Sequence, residues 1–274
     1  MSSNPNQIAA ARPYAWPHDA SFSRETTALV VIDMQRDCTF PPSFLTVLSN
    51  PPFRPSNLPH PPGTVCSPGG YLTSQGYSIT ATRAIIPSLQ RLLTAFRASG
   101  YQIYHTREGH RRDLSTISPR EAFRSHNNAS NLGIGDPGPL GRLLIRGEEG
   151  HNTIPELYPL PGEPVIDKPG RGAFAHTDFE LLLRVRGIRN LVVCGVTTDV
   201  CVSSTMREAN DRGFDCLLLE DGCAAAEEEL HKATVRGVQM EGGIFGAVGR
   251  VDDVIEMVKR AGAGEVGGGG VQGN

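Results

Sequence analysis

The sequence lacks any apolar run of about 20 residues, the length that a membrane-spanning helix needs. Residues 1–21 are polar and broken by proline, without the apolar core of a secretory signal. Basic residues are not in excess, because 26 Lys and Arg stand against 29 Asp and Glu, for a formal net charge of −3. We therefore expect a cytoplasmic protein with neither a membrane nor a nucleic acid as its partner.

Zinc-site spacing is also missing: the sequence has no Cys-x-x-Cys pair and no Cys/His cluster. Disulfides are not expected without a secretory signal. We predict six reduced thiols that mostly fill the core, and no metal and no cofactor. The cysteines are Cys38, Cys66, Cys194, Cys201, Cys216 and Cys223.

The sequence does contain the apolar content of a globular protein, since 39% of its residues are hydrophobic and 31 are glycine. From residue 27 onward, short apolar runs alternate with stretches of helical periodicity. This alternation predicts parallel strands joined by helical crossovers. The expected fold is α/β, a three-layer α/β/α doubly wound and mostly parallel sheet. Strands are predicted over residues 27–34, 101–106, 164–168, 190–196, 214–221 and 243–248, and helices over 79–98, 178–186, 200–212 and 252–260.

One domain accounts for most of the chain. We predict an N-terminal extension (residues 1–24), an α/β domain (25–260) and a flexible Gly-rich tail (261–274). Nine of the 21 prolines lie between residues 41 and 68, so residues 38–70 are expected to form an insertion or lid. Residues 110–158 are equally irregular in pattern.

Polar residues close three of the predicted strands, and in doubly wound sheets ligands bind outside these carboxyl ends. Asp33 ends the first strand, Lys168 ends a later one, and Cys201 follows the strand over 190–196 at the opening turn of a helix. Each residue has an ordinary alternative: an inert core thiol, an acid that solvates a loop, or a surface cation. A helix N-terminus and a nearby lysine would favour the thiolate, and a buried Asp33 would need a partner. We therefore expect the three side chains to meet in one cleft.

Three motifs resemble the isochorismatase-like cysteine hydrolases: TALVVIDMQRD, VIDKPGRGAF and CGVTTDVCVSSTMREANDRGFDCLLLED. The resemblance covers about residues 13–258. Within that family, the segments PYAWP, HTREGHRRDL and GIGDPGPLGRLLIRGE are most similar to biuret amidohydrolases, and PGGYL is shared with ureidoacrylate amidohydrolases, the next nearest.

The resemblance implies roles for individual residues. Asp33 is the proton carrier, which also activates the hydrolytic water, Lys168 the organising cation and Cys201 the nucleophile. The N–H groups of Thr197 and Cys201 form the oxyanion hole, with a cis peptide bond at Val196–Thr197. The Asp-x-His metal pair of nicotinamidases is missing from the segment that ends at His110.

Candidate substrate-binding residues are Glu241, Arg107 and Gln35. Glu241 stands where biuret amidohydrolases have a substrate-binding glutamine, which suggests a donor-rich substrate such as guanylurea; the alternative is a Glu that points to solvent. A carboxylate-bearing substrate would instead need a cation, and Arg107 or Arg171 could provide it. Arg107 and its neighbours Glu108 and His110 are equally well explained as part of a solvated loop or as residues that line the entrance of the pocket.

The expected function is that of a metal-free cysteine amidohydrolase. It would cleave a C–N bond of a small linear ureide, biuret-like or guanylurea-like, and release ammonia through a thioester-type intermediate. Alternatives within the family are ureidoacrylate, N-carbamoylsarcosine and isochorismate hydrolysis. An alternative of another class is a noncatalytic interaction protein. The resemblance also implies a homo-oligomer, a dimer or a tetramer.

Overall fold

Strand β1 (Thr27–Ile32) is buried along its whole length, as its unbroken apolar sequence requires. It pairs in parallel with a strand on each side and lies inside a six-stranded sheet. The computed structural model describes residues 4–39 and 70–266. The predicted insertion, residues 38–70, lies outside this description except at its two ends.

The strands of the sheet stand in the order β5-β2-β1-β6-β7-β8, and all of their pairings are parallel. The other strands are β2 (Gln102–Glu108), β5 (Val165–Lys168), β6 (Asn190–Val196), β7 (Asp215–Ala224) and β8 (Ala247–Gly249). A separate hairpin is formed by β3 (Pro137–Gly138) and β4 (Gly141–Arg142). The doubly wound α/β prediction is confirmed.

The helices connect these strands. They are α1 (Arg36–Thr39), α2 (Tyr71–Ser74), α3 (Thr80–Ala84), α4 (Ile86–Ala98), α5 (Pro119–His126), α6 (Phe179–Val185), α7 (Ser203–Asp211), α8 (Glu228–Gln239) and α9 (Val251–Val266). The helix predicted over 79–98 is divided at Ile85, since Pro87 lacks the N–H that would continue the ladder and instead suits a helix start. None of the helices in the described ranges is long and apolar enough to span a bilayer.

The expected N-terminal extension belongs to the domain core. Trp16 and Phe22 are buried in the main hydrophobic cluster, and Arg12 exchanges two backbone hydrogen bonds with Val248 of β8. Tyr14 and Trp16 both donate side-chain hydrogen bonds to Asp215, at 2.7 and 2.9 Å. This part of the chain therefore covers the edge of the sheet that β8 forms.

Two other expectations about irregular segments also need correction. Residues 110–158 contain α5 and the β3–β4 hairpin, and they bury a small cluster of their own around Ile145. The last helix, α9, extends to Val266 and so includes the start of the predicted tail. Residues 267–274 lie outside the described part.

Asp37 of α1 is a buried carboxylate that fastens α1 to the segment before β5. Its side chain accepts a hydrogen bond from the Leu144 N–H at 3.1 Å, and its own N–H donates to the Gly150 carbonyl at 2.9 Å. Only 2% of Asp37 is exposed. Burial outweighs the backbone donors and raises the pKa of Asp37 from 3.8 to about 7.

We expect this carboxylate to make stability fall as the pH rises from about 4 to about 7. In that interval the folded chain retains a proton that the unfolded chain has released, so ionisation favours unfolding. The variant Asp37→Asn should lack this loss. At about 1.4 kcal/mol per pKa unit, its advantage over the wild type should grow by up to about 4 kcal/mol between pH 4 and pH 8. Urea unfolding at both pH values measures it; two parallel pH profiles would contradict the expectation.

Candidate active site

Three strands of the sheet end at one place. Asp33 follows β1, Lys168 is the last residue of β5, and Cys201 lies in the π-helical turn Thr198–Val202 after β6. Asp33 has a φ of 49°, in the left-handed region that a non-glycine residue seldom adopts. The juxtaposition predicted from the strand ends is thus present in the structure.

Lys168 occupies the centre of this group. Its side chain is fully buried, and its Nζ lies 2.8 Å from Asp33 Oδ2 and 3.4 Å from Cys201 Sγ. Nζ also donates to the Gly170 carbonyl at 2.8 Å. Burial lowers the pKa of Lys168, but the nearby negative charges, Asp33 first among them, outweigh burial and leave the pKa raised. The residue is therefore a fixed cation.

The surroundings of Cys201 act on its pKa in two opposite directions, of which the sequence interpretation included only one. Burial raises the pKa of Cys201 well above its ordinary value, and the carboxylates of Asp33 and Glu108 raise it further. Lys168 acts in the opposite direction, as expected, but does not outweigh these effects. For Cys201 to act as a nucleophile, a base would have to remove its proton.

The turn before Cys201 has the backbone that the resemblance implied. The Val196–Thr197 peptide bond is cis. Thr197 and Cys201 both line the cavity described below. Behind them, the Thr198 hydroxyl is hydrogen-bonded to His231 Nδ1 of α8 at 2.8 Å. The oxyanion role of the Thr197 and Cys201 N–H groups stays a prediction.

Glu108 is an additional member of the site that the sequence interpretation did not single out. The Cys201 thiol donates to Glu108 Oε2 at 3.4 Å, and Lys168 Nζ lies 3.7 Å from the same oxygen. Glu108 is the last residue of β2, which ends two residues later than predicted. Side chains alternate along a strand, so Glu108 shares the face of Thr106, whose hydroxyl donates to Asp33 Oδ1 at 2.6 Å.

These groups lie in a cavity of about 380 Å³, a size suited to a small molecule. It contains both acidic and basic side chains. The polar residues among those that line it include Asp33, Glu108, Arg124, Asn127, Asn128, Arg171, Thr197, Asp199, Cys201 and Glu227. Cys38, Tyr71 and Leu144 are also part of its wall.

Two arginines of the cavity wall share one carboxylate. Arg124 donates to Glu121 at 2.5 Å, and Arg171 donates to the same oxygen. The Arg124 guanidinium also lies 3.4 Å from the Tyr71 hydroxyl. Although burial opposes it, these donors lower the pKa of Glu121 to about 2. Among these three side chains, two positive charges and one negative charge leave one positive charge unbalanced.

The three substrate-binding candidates do not line this cavity. The Gln35 amide is buried, where it binds the Glu108 N–H and carbonyl, at 2.8 and 3.0 Å. Arg107 points to the opposite face of β2 and pairs with Asp167 at 2.8 Å. Glu241 is exposed in the 3-10 turn Met240–Gly242. For these candidates the expectation of direct substrate contact is not supported by the geometry.

Asp33, Glu108 and Cys201 offer three possible metal-ligand atoms within 4.8 Å of one another. The Lys168 ammonium already supplies a positive charge to them, so a divalent cation bound there would face a like charge at short range. The expectation that no metal takes part stays a prediction. Five cysteines of the described residues are free thiols, and Cys66 lies outside the described ranges.

The fold and this site define an α/β protein that holds a thiol, two carboxylates and an ammonium at the carboxyl edge of its sheet. The model of the isochorismatase domain matches residues 27–251, so the chain belongs to the isochorismatase family.

Curated relatives and solved structures agree with this family. The ureidoacrylate amidohydrolase RutB of Azorhizobium caulinodans is 32% identical over 241 residues, which are 87% of this chain and 93% of the relative. The enzyme of the same name from Acinetobacter baylyi is 30% identical, over 82% of each chain. A cysteine hydrolase from Pseudomonas syringae pv. phaseolicola has the same fold, with a TM-score of 0.64 at 22% identity, covering 87% of this chain and 95% of that one.

Proposed function

We propose that this protein is a thiol-dependent amidohydrolase that cleaves a C–N bond of a small linear ureide and releases ammonia. The observation that carries the proposal is the Cys201 thiol in the cavity, 3.4 Å from a buried ammonium that is itself paired with Asp33. Family membership and relatives that are named amidohydrolases support it.

The proposed reaction begins with transfer of the thiol proton to Asp33, after which Cys201 attacks the ureido carbonyl. The N–H groups of Thr197 and Cys201 bind the oxyanion, and one such donor is typically worth about 2.7 to 4 kcal/mol. Asp33 then gives its proton to the departing nitrogen as the C–N bond breaks. A thioester-type intermediate remains on Cys201, and water hydrolyses it.

The arginine wall favours a ureide that carries a carboxylate, as ureidoacrylate does. Arg124 and Arg171 together carry one positive charge more than their shared partner Glu121 balances, whereas Asp33 and Glu108 provide acceptors for the amino end. The exposed position of Glu241 removes the reason to prefer guanylurea. A carboxylate bound to a guanidinium can be bidentate, which fixes the ureido group relative to the thiol.

A biuret-like substrate without a carboxylate is the second candidate. Asp199 lines the cavity, and its buried Oδ1 accepts no hydrogen bond from the residues that the structure describes. An N–H-rich substrate would satisfy this oxygen. The sequence resemblance to biuret amidohydrolases points the same way.

Ammonia release from a panel of compounds separates these candidates. The panel contains ureidoacrylate, N-carbamoylsarcosine, biuret and guanylurea, with loss of isochorismate followed separately. We expect the highest kcat/KM for a carboxylate-bearing ureide, and none with Cys201→Ser. If no member of the panel is turned over, the proposed function is wrong and an interaction protein is favoured. If the Cys201 variant releases as much ammonia as the wild type, the protein is an enzyme whose activity does not depend on this thiol.

Arg171→Gln tests the carboxylate directly. Loss of a charged hydrogen bond worth about 1.5 to 3 kcal/mol should lower kcat/KM for the carboxylated ureide about 10- to 100-fold. Biuret turnover should change by less than about threefold. Glu241→Gln is the matched control, and we expect it to leave the order of preference unchanged because its side chain is exposed. Equal losses on both substrates in the Arg171 variant would show that it has only a structural role.

A further inference from the structure

The site holds one carboxylate more than a single proton carrier requires. Glu108 Oε2 is 3.4 Å from Cys201 Sγ and accepts the thiol hydrogen bond. Asp33 also interacts with Cys201 through a side-chain hydrogen bond, but both of its oxygens have other partners as well: Thr106 donates to Oδ1 at 2.6 Å, and Lys168 pairs with Oδ2 at 2.8 Å. The two carboxylates are therefore placed differently with respect to the sulfur.

Glu108 is held at this place by its backbone. The Gln35 amide accepts from the Glu108 N–H at 2.8 Å and donates to the Glu108 carbonyl at 3.0 Å. Gln35 is itself fixed, because the same amide nitrogen donates to the His151 carbonyl at 3.1 Å. The sequence singled out Gln35 for substrate binding, but in the structure it positions Glu108.

Formation of the intermediate changes the surroundings of Glu108 more than those of Asp33. Once Cys201 is acylated, its sulfur has no proton to donate, so Glu108 Oε2 loses that hydrogen bond while still bordering the cavity. Asp33 keeps the hydrogen bond from Thr106 and the ion pair with Lys168 at 2.8 Å, whereas Glu108 Oε2 keeps the longer ion pair with Lys168, at 3.7 Å. A water molecule that enters from the cavity can then donate to Glu108 next to the acyl carbon.

We propose that Glu108, rather than Asp33 as the resemblance implies, is the general base of the hydrolytic half of the reaction, and that it is therefore a further catalytic residue. This inference rests on the covalent cycle of the proposed function. The Glu108 carboxylate takes one proton from water, and the hydroxide oxygen forms a bond to the acyl carbon. As the C–S bond breaks, its electron pair returns to sulfur, and Glu108 gives the same proton to Cys201. Water is consumed, the free thiol is restored, and no other reactant is needed.

Charged and titratable groups from several elements act on Glu108. They are Cys38, Tyr71, His110, Lys168, Arg171 and Cys201, and an Asp33 oxygen lies within 4.8 Å of a Glu108 oxygen. The test therefore follows the two chemical steps separately and does not depend on a pH profile.

The test uses p-nitrophenyl acetate, which acylates a reactive thiol whatever the natural substrate is. Acylation appears as a burst of p-nitrophenolate, and mass spectrometry of the intact protein follows loss of the acetyl group. We expect Glu108→Gln to keep the burst, at a rate no lower than about one third of the wild-type rate, because loss of the Glu108 charge removes one of the effects that raise the pKa of Cys201. Its deacylation should slow at least about 100-fold, the lower end of what a positioned general base contributes. Glu108→Asp, which keeps the carboxylate, should recover part of the deacylation rate.

Each result supports or overturns a different statement. If wild-type and Glu108→Gln proteins lose the acetyl group equally fast, Glu108 is not the base. A burst that disappears in Glu108→Gln would place its role in acylation and also overturn the inference. A wild-type burst that is absent, or that persists in Cys201→Ala, would overturn the proposed covalent cycle itself. If Glu108→Gln is unstable, the test relies on Glu108→Asp. A Glu108→Asp protein that deacylates at the wild-type rate but shows an altered burst contradicts the proposal.

Discussion

Replacement of Cys201 by alanine is expected to lower turnover of any ureide substrate by at least about 10⁴-fold, since residues that act as one catalytic unit have effects of this size. The thiol is the nucleophile in the proposed cycle, and the neighbouring side chains can only move protons or hold charge. Serine should not replace it, because burial beside two carboxylates disfavours an anionic nucleophile and a hydroxyl loses its proton far less readily than a thiol. The measurement is ammonia release under saturating substrate.

Cys38 provides the matched control for this prediction because its thiol lines the same cavity. We expect Cys38→Ala to keep turnover within about threefold, since no contact joins its thiol to Lys168 or Asp33 among the hydrogen bonds and ion pairs of the described residues. The Cys201 variants should retain their thermal unfolding temperature within a few degrees. If the Cys38 variant is inactive and the Cys201 variant is active, the nucleophile is Cys38 and its assignment to Cys201 is wrong.

The fold could be predicted from the sequence to the extent that its strands are apolar runs. The bounds predicted for β6, residues 190–196, agree with the structure, and Cys194 lies inside it as core. Helix α8 was not predicted. Its first turn is acidic, and only Val235 and Val238 of its residues are buried, so the apolar periodicity is weak.

The site could be predicted where the chemistry comes directly after a strand. Asp33, Lys168 and Cys201 were found by this rule because parallel strands bring their carboxyl ends to one edge. Glu108 was left undecided because β2 was ended at Thr106. Two more residues of strand place Glu108, rather than Arg107, on the face of the site.

The contacts of the cavity wall could not be predicted from the sequence because they join distant segments of the chain. Arg124 lies in a segment without apolar periodicity, and it meets Arg171 only through Glu121. No local signal reports a pairing between residues 121 and 171. Glu241 shows the opposite case: a position inferred from resemblance alone is exposed in a turn with a φ of 51°.

Replacement of Lys168 by methionine is expected to remove turnover and to destabilise the fold together. The side chain is fully buried, and without it Asp33 and Glu108 would be two buried carboxylates beside a neutral thiol. Removal of one partner of a buried ion pair typically costs about 3 to 5 kcal/mol, because the remaining charge has no compensation. Urea unfolding and ammonia release measure the two losses.

The double variant Lys168→Met with Asp33→Asn separates the two effects. Neutralising Asp33 removes the charge that Lys168 balances at 2.8 Å, so a substantial part of the lost stability should return. Turnover should not return, because the proposed proton carrier and the cation that orients it are both gone. If the double variant is no more stable than Lys168→Met, loss of packing rather than charge explains the destabilisation. If instead Lys168→Met alone retains turnover, the ammonium has no part in the chemistry, and the thiol is activated by the carboxylates only.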